Sequence, residues 1–301
     1  MSMQAVAAEG ASRSSAKPGA TGIRPRKFTE PFGALPRHWL GGSVLATHVA
    51  NGVNLLFPAG ERFFVRSVRR YLADLEADPE LKAAVRAFAQ QEGHHAHAHE
   101  RLFAELEGQG YAIKPFLKAY DAVAYGFIER VSSDKLRLAT TAAAEHFTAL
   151  LAEGFLTRDV GDLMPDPIRR LLSWHAAEEI EHRAVAFEVL QRVDPSYGLR
   201  LAGLAMASAT LAGFWLAATT SLMLQEEDIV GEFHRGRHQM KDRHPFGVFS
   251  RGIRAYIKRD FHPSQATHLD EIAARYLREA GFPAAAEPVK GAVAASERSA
   301  I

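Results

Sequence analysis

Cysteine is absent from the 301 residues. That removes disulfides, thiolate zinc sites, iron–sulfur clusters and cysteine nucleophiles from consideration. Charge of one sign is also missing: 36 Lys and Arg stand against 35 Asp and Glu, a formal balance of +1. No bulk field draws the chain to nucleic acid, and the basic residues are not interleaved with aromatics as a nucleic-acid groove requires, so no nucleic-acid partner is expected. The first thirty residues hold no apolar core of the kind a secretory leader needs. Residues 1–30, rich in Ala, Gly, Ser and Pro, read as a disordered leader, and residues 281–301 as a flexible tail. The expected location is cytoplasmic.

Sustained apolar–polar alternation is scarce as well, and helical periods fill the chain instead. With 47% hydrophobic residues it can bury a large core, and the fold class expected is all-α. The Phe57-Pro58-Ala59-Gly60 step reads as a helix start, with Pro58 in the first turn. Asp78-Pro79 starts a helix reaching about Glu107, and residues 116–131 form another. Ser132 or Ser133 caps one that runs to about residue 159. Asp166-Pro167 starts one ending near Val193, Ser196 opens one to Glu227, and a short amphipathic helix spans about Thr267 to Ala280. Residues 228–265, basic and rich in histidine, read as irregular.

What the helices carry is a repeated arrangement of carboxylates and imidazoles. Glu61 precedes Glu92 by 31 residues, with His95 three further on, and Glu145 precedes Glu179 by 34, with His182 three further on. A chain with 14 His yields about one Glu-x-x-His by chance. Two of them, each on an apolar-periodic helix and each preceded by a Glu at the span of an antiparallel hairpin, are the pattern of a two-metal carboxylate site in a four-helix bundle. Residues three or four apart share a helix face. Glu92 and His95 therefore point together, with His99 one turn on as a supporting histidine, while His94 and His97 point elsewhere. On the later helix His175, Glu179 and His182 form one stripe, Glu178 borders it and Glu181 points away. Four carboxylates balance two divalent ions, and imidazole adds neutral nitrogen donors. Glu61 and Glu145 carry an alternative reading as solvent-facing side chains.

The stretches Phe57–Phe64, Gln91–His95, Glu145–Thr148, His175–Arg183 and Asp260–Pro263 resemble a bacterial family called predicted metal-dependent hydrolases, viewed as ferritin-like bundles. The resemblance covers about residues 30–280. It implies a ferritin-like four-helix bundle with additional helices and a C-terminal cap over 31–280. The order of ligands also resembles that of the di-iron arylamine N-oxygenases. This second resemblance selects Glu61, Glu92, His95, Glu145, His175, Glu179 and His182 as metal-binding and catalytic residues. It implies a di-iron carboxylate oxygenase, in which two Fe ions (or Mn or Zn) activate O2 to oxidise a small apolar substrate, with a reductase as electron donor. The alternatives are a hydrolase using metal-activated water and a non-catalytic iron-binding bundle.

Leu201–Leu224 holds 24 residues without a charge. That length passes for a membrane span, and its Gly, Ala and Ser content equally suits close packing in the bundle or in a homodimer. Membrane contact through 201–224 and burial both stand as expectations.

Overall fold

The computed structural model describes residues 22–158, 160–239 and 246–282. Among them every regular element is helical. Four helices close a ring: α1 (Val44–Arg69) packs on α2 (Pro79–Gly108), α2 on α6 (Asp166–His182), α6 on α5 (Asp134–Leu156), and α5 back on α1. Between α2 and α5 lie α3 (Lys114–Tyr120), a π-helical stretch (Asp121–Ile128) and α4 (Glu129–Val131). After α6 come α7 (Val185–Val193) and α8 (Tyr197–Met223), which lies across both α1 and α5. Then follow α9 (Ile229–Gln239), α10 (Phe246–Tyr256) and α11 (His268–Glu279), the last packed on α6.

Caps fix several of these starts. Asp78 accepts from the Leu81 N–H with Pro79 in the first turn of α2, Ser133 accepts from Leu136 to open α5, and Ser196 accepts from Leu199 to open α8, each satisfying a donor the first turn leaves free.

The first helix departs from expectation. It begins not at Pro58 but at Val44, where Ser43 accepts from the Ala46 N–H, and Pro58 lies inside it. An interior proline forfeits a backbone hydrogen bond and costs about 3 kcal/mol; here burial of Asn51, Asn54, Leu55, Leu56 and Glu61 holds the helix through it. Gly52 marks a close crossing instead of a break. A Cβ there would sit 2.5 Å from Thr219 Oγ1 and 3.1 Å from the Trp215 ring.

Two further boundaries differ. The helix expected from 166 to 193 ends at His182, where Arg183 turns its guanidinium onto the carbonyls of Ile180 and Pro263 and onto Asp270. The segment 228–265 is not irregular but carries α9 and α10, with Asp228 accepting from the Gly231 N–H and Val248 and Tyr256 buried in the core. The dense basic and histidine residues there mask a sparse apolar period.

Of the leader expected over 1–30, residues 1–21 lie outside the described residues. From Gly22 the chain packs on the body, with Arg26 and Phe28 buried, so the folded part starts ahead of residue 31. The tail expected over 281–301 lies outside the described residues from 283 onward. One face of α8 seals the seam between α1 and α5, and the helix is long and apolar enough to cross a membrane by length and composition alone.

Candidate metal centre

The ring of helices brings all seven sequence-selected side chains together. Glu61 comes from α1, Glu92 and His95 from α2, Glu145 from α5, and His175, Glu179 and His182 from α6. Each is 4% exposed or less, so the solvent-facing alternative for Glu61 and Glu145 is not what the structure shows. Two groups form. Glu61, His95 and His175 have donor atoms within 4.8 Å of one another, as do Glu92, Glu145, Glu179 and His182. Glu179 faces both groups: Oε1 is 2.8 Å from His175 Nε2 and 3.5 Å from His95 Nδ1, while Oε2 is 3.5 Å from His182 Nε2. Glu92 does the same less closely, with Oε1 3.0 Å from His182 Nε2 and 3.9 Å from His95 Nδ1.

Of these approaches only His175 Nε2 to Glu179 Oε1 is an aligned hydrogen bond. Both oxygens of Glu61, Glu92 and Glu145, Oε2 of Glu179, Nδ1 of His95 and Nε2 of His182 are buried without an aligned partner. An unmatched buried carboxylate is costly, and four in one place need positive charge. Hard carboxylate oxygens with imidazole nitrogens form a donor set for Fe, Mn or Zn. These nine orphaned atoms belong to that set and face one another, so the residues present fit bound metal.

The outward nitrogens are held. His95 Nε2 donates to Glu178 Oε2 at 2.9 Å, and Glu178 is paired with Arg26 at 2.9 Å. His182 Nδ1 donates to Gln91 Oε1 at 3.0 Å, and Gln91 donates to Glu181, which also takes Arg26. His175 Nδ1 meets His99 Nε2 at 2.7 Å, which makes His99 the supporting residue its spacing suggests. Such outer partners fix ring orientation and leave the inner nitrogen for a metal. The rings lie against apolar walls: Phe57 packs on His99 and His175, Phe88 on His182, and Trp174 on His95.

Electrostatics carry the same imprint. Burial, opposed by His182, pushes the Glu145 carboxyl up to about 8. Burial and then the neighbouring carboxylates raise Glu61 and Glu92. Burial alone would lower His95, but its bond to Glu178 and the nearby Glu179 carboxylate outweigh that and raise it to about 10. Burial followed by the His95 charge holds His175 down, to about 4. Without metal, protons stand in for the missing positive charge.

Gln91, Arg26 and Glu178 support the site, yet only Glu178 left a trace in the sequence, bordering the α6 stripe. A separate cluster was also missed. His38, His48 and Tyr111 converge on one oxygen of Glu226 at 3.3, 2.8 and 2.5 Å, with the Arg37 guanidinium 3.6 Å away. That guanidinium and three donors already satisfy the oxygen, which makes the cluster a tie between α1, α8 and the loop after α2.

Two apolar cavities reach the centre. One, of about 120 Å³, is lined by Glu61, and another, of about 230 Å³, by His175 and Glu179, and Phe57 borders both. The model of a family described as predicted metal-dependent hydrolase matches residues 24–267. The chain belongs to this family. No curated protein and no solved structure matches it. The matched span contains all seven inward groups together with Arg26, Gln91, His99 and Glu178, so metal dependence, the property in the family description, coincides with the one buried carboxylate–imidazole cluster of the ring helices.

Proposed function

We propose that the seven inward side chains hold two iron ions and that the protein is a di-iron oxygenase acting on a small apolar molecule in a ferritin-like bundle. The observation that supports this reading is the donor set itself. Four carboxylates neutralise two divalent ions, and three imidazoles give a nitrogen-rich centre inside an apolar enclosure. When bound, the iron pair supplies dioxygen activation: two electrons from a reductase and two protons accompany transfer of one oxygen atom to substrate, and the other leaves as water. The protein's own part is orientation and exclusion of water. Glu178, Gln91 and His99 set the imidazole tautomers. Phe57, Phe88 and Trp174 keep bulk water from the carboxylates, and the apolar cavities admit a substrate of like character.

The family description favours a second reading, hydrolysis by metal-activated water. The cavity linings favour the first, because the basic groups along them are Arg137 and Arg158 alone, and Arg137 is engaged with Asp134 and the Glu129 carbonyl. No cationic clamp for an anionic phosphate ester stands beside Glu61 among the described residues.

The test is to load anaerobic protein with ferrous iron, count the metal and admit oxygen. About two ions per chain and oxygen consumption coupled to oxidation of an apolar compound are expected. Glu92→Ala should lose metal, while His94→Ala, off the inward face, should keep it. Oxygen-inert protein that cleaves esters with manganese or zinc would establish the hydrolase instead. Mineralisation of iron would leave storage, and failure to bind any of the three metals would end both enzymatic readings.

A further inference from the structure

The 120 Å³ cavity holds a pair of phenols that the metal site does not use. Tyr120 Oη and Tyr125 Oη lie 2.6 Å apart, and both line the cavity with Glu61. In an α-helix, residues five apart point about 140° away from each other. The π-helical stretch Asp121–Ile128 closes its hydrogen bonds over five residues, and that wider turn stacks Tyr125 under Tyr120. π-Helical turns are rare and concentrate at functional sites. Here the turn has a definable product, two hydroxyls presented side by side to one apolar chamber.

Gly60, next in sequence to Glu61, faces the pair from α1. A Cβ at that position would lie 3.8 Å from Tyr125 Oη and 3.9 Å from Tyr120 Oη. Most of the remaining wall is apolar, with Val53, Leu56, Phe63, Phe64, Leu211 and Phe214 contributing, and its charged members, Glu129 and Arg137, are paired with Arg66 and Asp134. Within the pair one O–H is donated to the other oxygen. The second O–H has only the Leu56 carbonyl, 3.5 Å from Tyr120 Oη, at the limit of a useful hydrogen bond. Burial raises both phenols, Tyr120 to about 12, so they remain donors at neutral pH. An enclosed apolar cavity of about 150 Å³ accepts benzene; this chamber measures about 120 Å³ but is open on one side, so a single ring with a substituent reaching the opening is the upper limit of what fits.

We infer that this chamber is the substrate pocket and that it takes a neutral molecule of about one ring, or a short chain, bearing a single hydrogen-bond acceptor that the Tyr120–Tyr125 pair reads. The inference rests on the oxygenase reading for the identity of the occupant as substrate. The pocket, its size limit and the phenol pair in its wall stand on geometry alone. A charged ligand would find no unpaired counter-charge in a largely apolar wall, and a purely apolar one leaves the second O–H unmatched.

Benzyl alcohol and toluene serve as probes, titrated into the full-length metal-loaded protein and followed by ligand-observed NMR. Both should bind the wild type in the chamber. In the double variant Tyr120→Phe/Tyr125→Phe, toluene should bind within twofold of wild type and benzyl alcohol on the order of tenfold more weakly, the loss of one hydrogen bond. Removing both phenol oxygens together leaves no buried donor orphaned, so the variant should fold. Ala144→Leu, which narrows the same wall, should weaken both probes. If neither probe binds wild type, or if the double variant leaves benzyl alcohol unchanged, the inference fails. Probe binding by a protein that consumes no oxygen would retain the pocket and remove the oxygenase. Oxygen consumption without probe binding would do the reverse.

Discussion

At His95 and His182 one ring nitrogen faces the carboxylates while the other donates to Glu178 and Gln91. The outer bonds choose the tautomer, so their loss should act on metal affinity before it acts on the fold. Glu178→Gln and Gln91→Leu should each weaken binding about 10–100-fold, read by competition with a chelator, while the metal-free variants keep a helical spectrum and a melting temperature close to wild type. The residues that offer donors were legible because helical spacing places Glu92 with His95, and His175 with Glu179 and His182, on shared faces. Arg26 and Asn54 were not. Arg26 meets Glu178 and Glu181 from an extended stretch, 152 and 155 positions away, where no periodicity announces a contact. Asn54, buried beside the larger cavity with both amide atoms unpartnered, lies ahead of Pro58, where the sequence places the helix start.

Helix starts with a side-chain cap and a first-turn proline were readable, and those decided by packing were not. Pro58 looks like a start because its local chemistry suits one, yet tertiary burial carries α1 through it. The π-helical stretch has no compositional mark: Asp121–Ile128 reads as ordinary helix, and only the Tyr120–Tyr125 contact reveals the wider turn. Gly203 belongs to the same class. It is where α8 meets α5 so closely that a Cβ would collide with the Ala139 carbonyl. Gly203→Ala should therefore destabilise the protein by about 2–3 kcal/mol as an overpacked contact, measured by chemical denaturation, despite alanine's better helix propensity. Full stability in that variant would mean that α8 is not docked on the bundle in solution. The same contact bears on the long apolar run. Only 22% of its most apolar window is buried, but its inner face supplies Leu211 and Phe214 to the smaller cavity wall, so crossing a membrane would open the chamber.

For the molecule as a whole, the buried charge makes stability depend on metal and on pH together. Glu145, raised to about 8 from an ordinary 4.5, keeps its proton in the folded chain after the unfolded chain has released it. His95, raised to about 10 from 6.5, does likewise. Between pH 6.5 and 8 the folded chain thus binds more protons than the unfolded one, and stability falls as pH rises. His175, lowered to about 4, acts with the opposite sign only below pH 6.5. Chelator-treated protein should lose melting temperature steadily from pH 6.5 to 8. Metal-loaded protein should not, and at a hundredfold excess of free metal over its dissociation constant it should gain about 2.7 kcal/mol. Equal slopes for the two forms would separate the titrating carboxyls from the metal.

The guanidinium of Arg26 is synthesised some 150 residues ahead of the carboxylates that receive it. The polypeptide cannot lock the outer rim of its reactive centre until α6 has been translated. An ion meeting the chain before α6 is made would find only Glu61, Glu92, His95 and Glu145, without His175, Glu179 and His182.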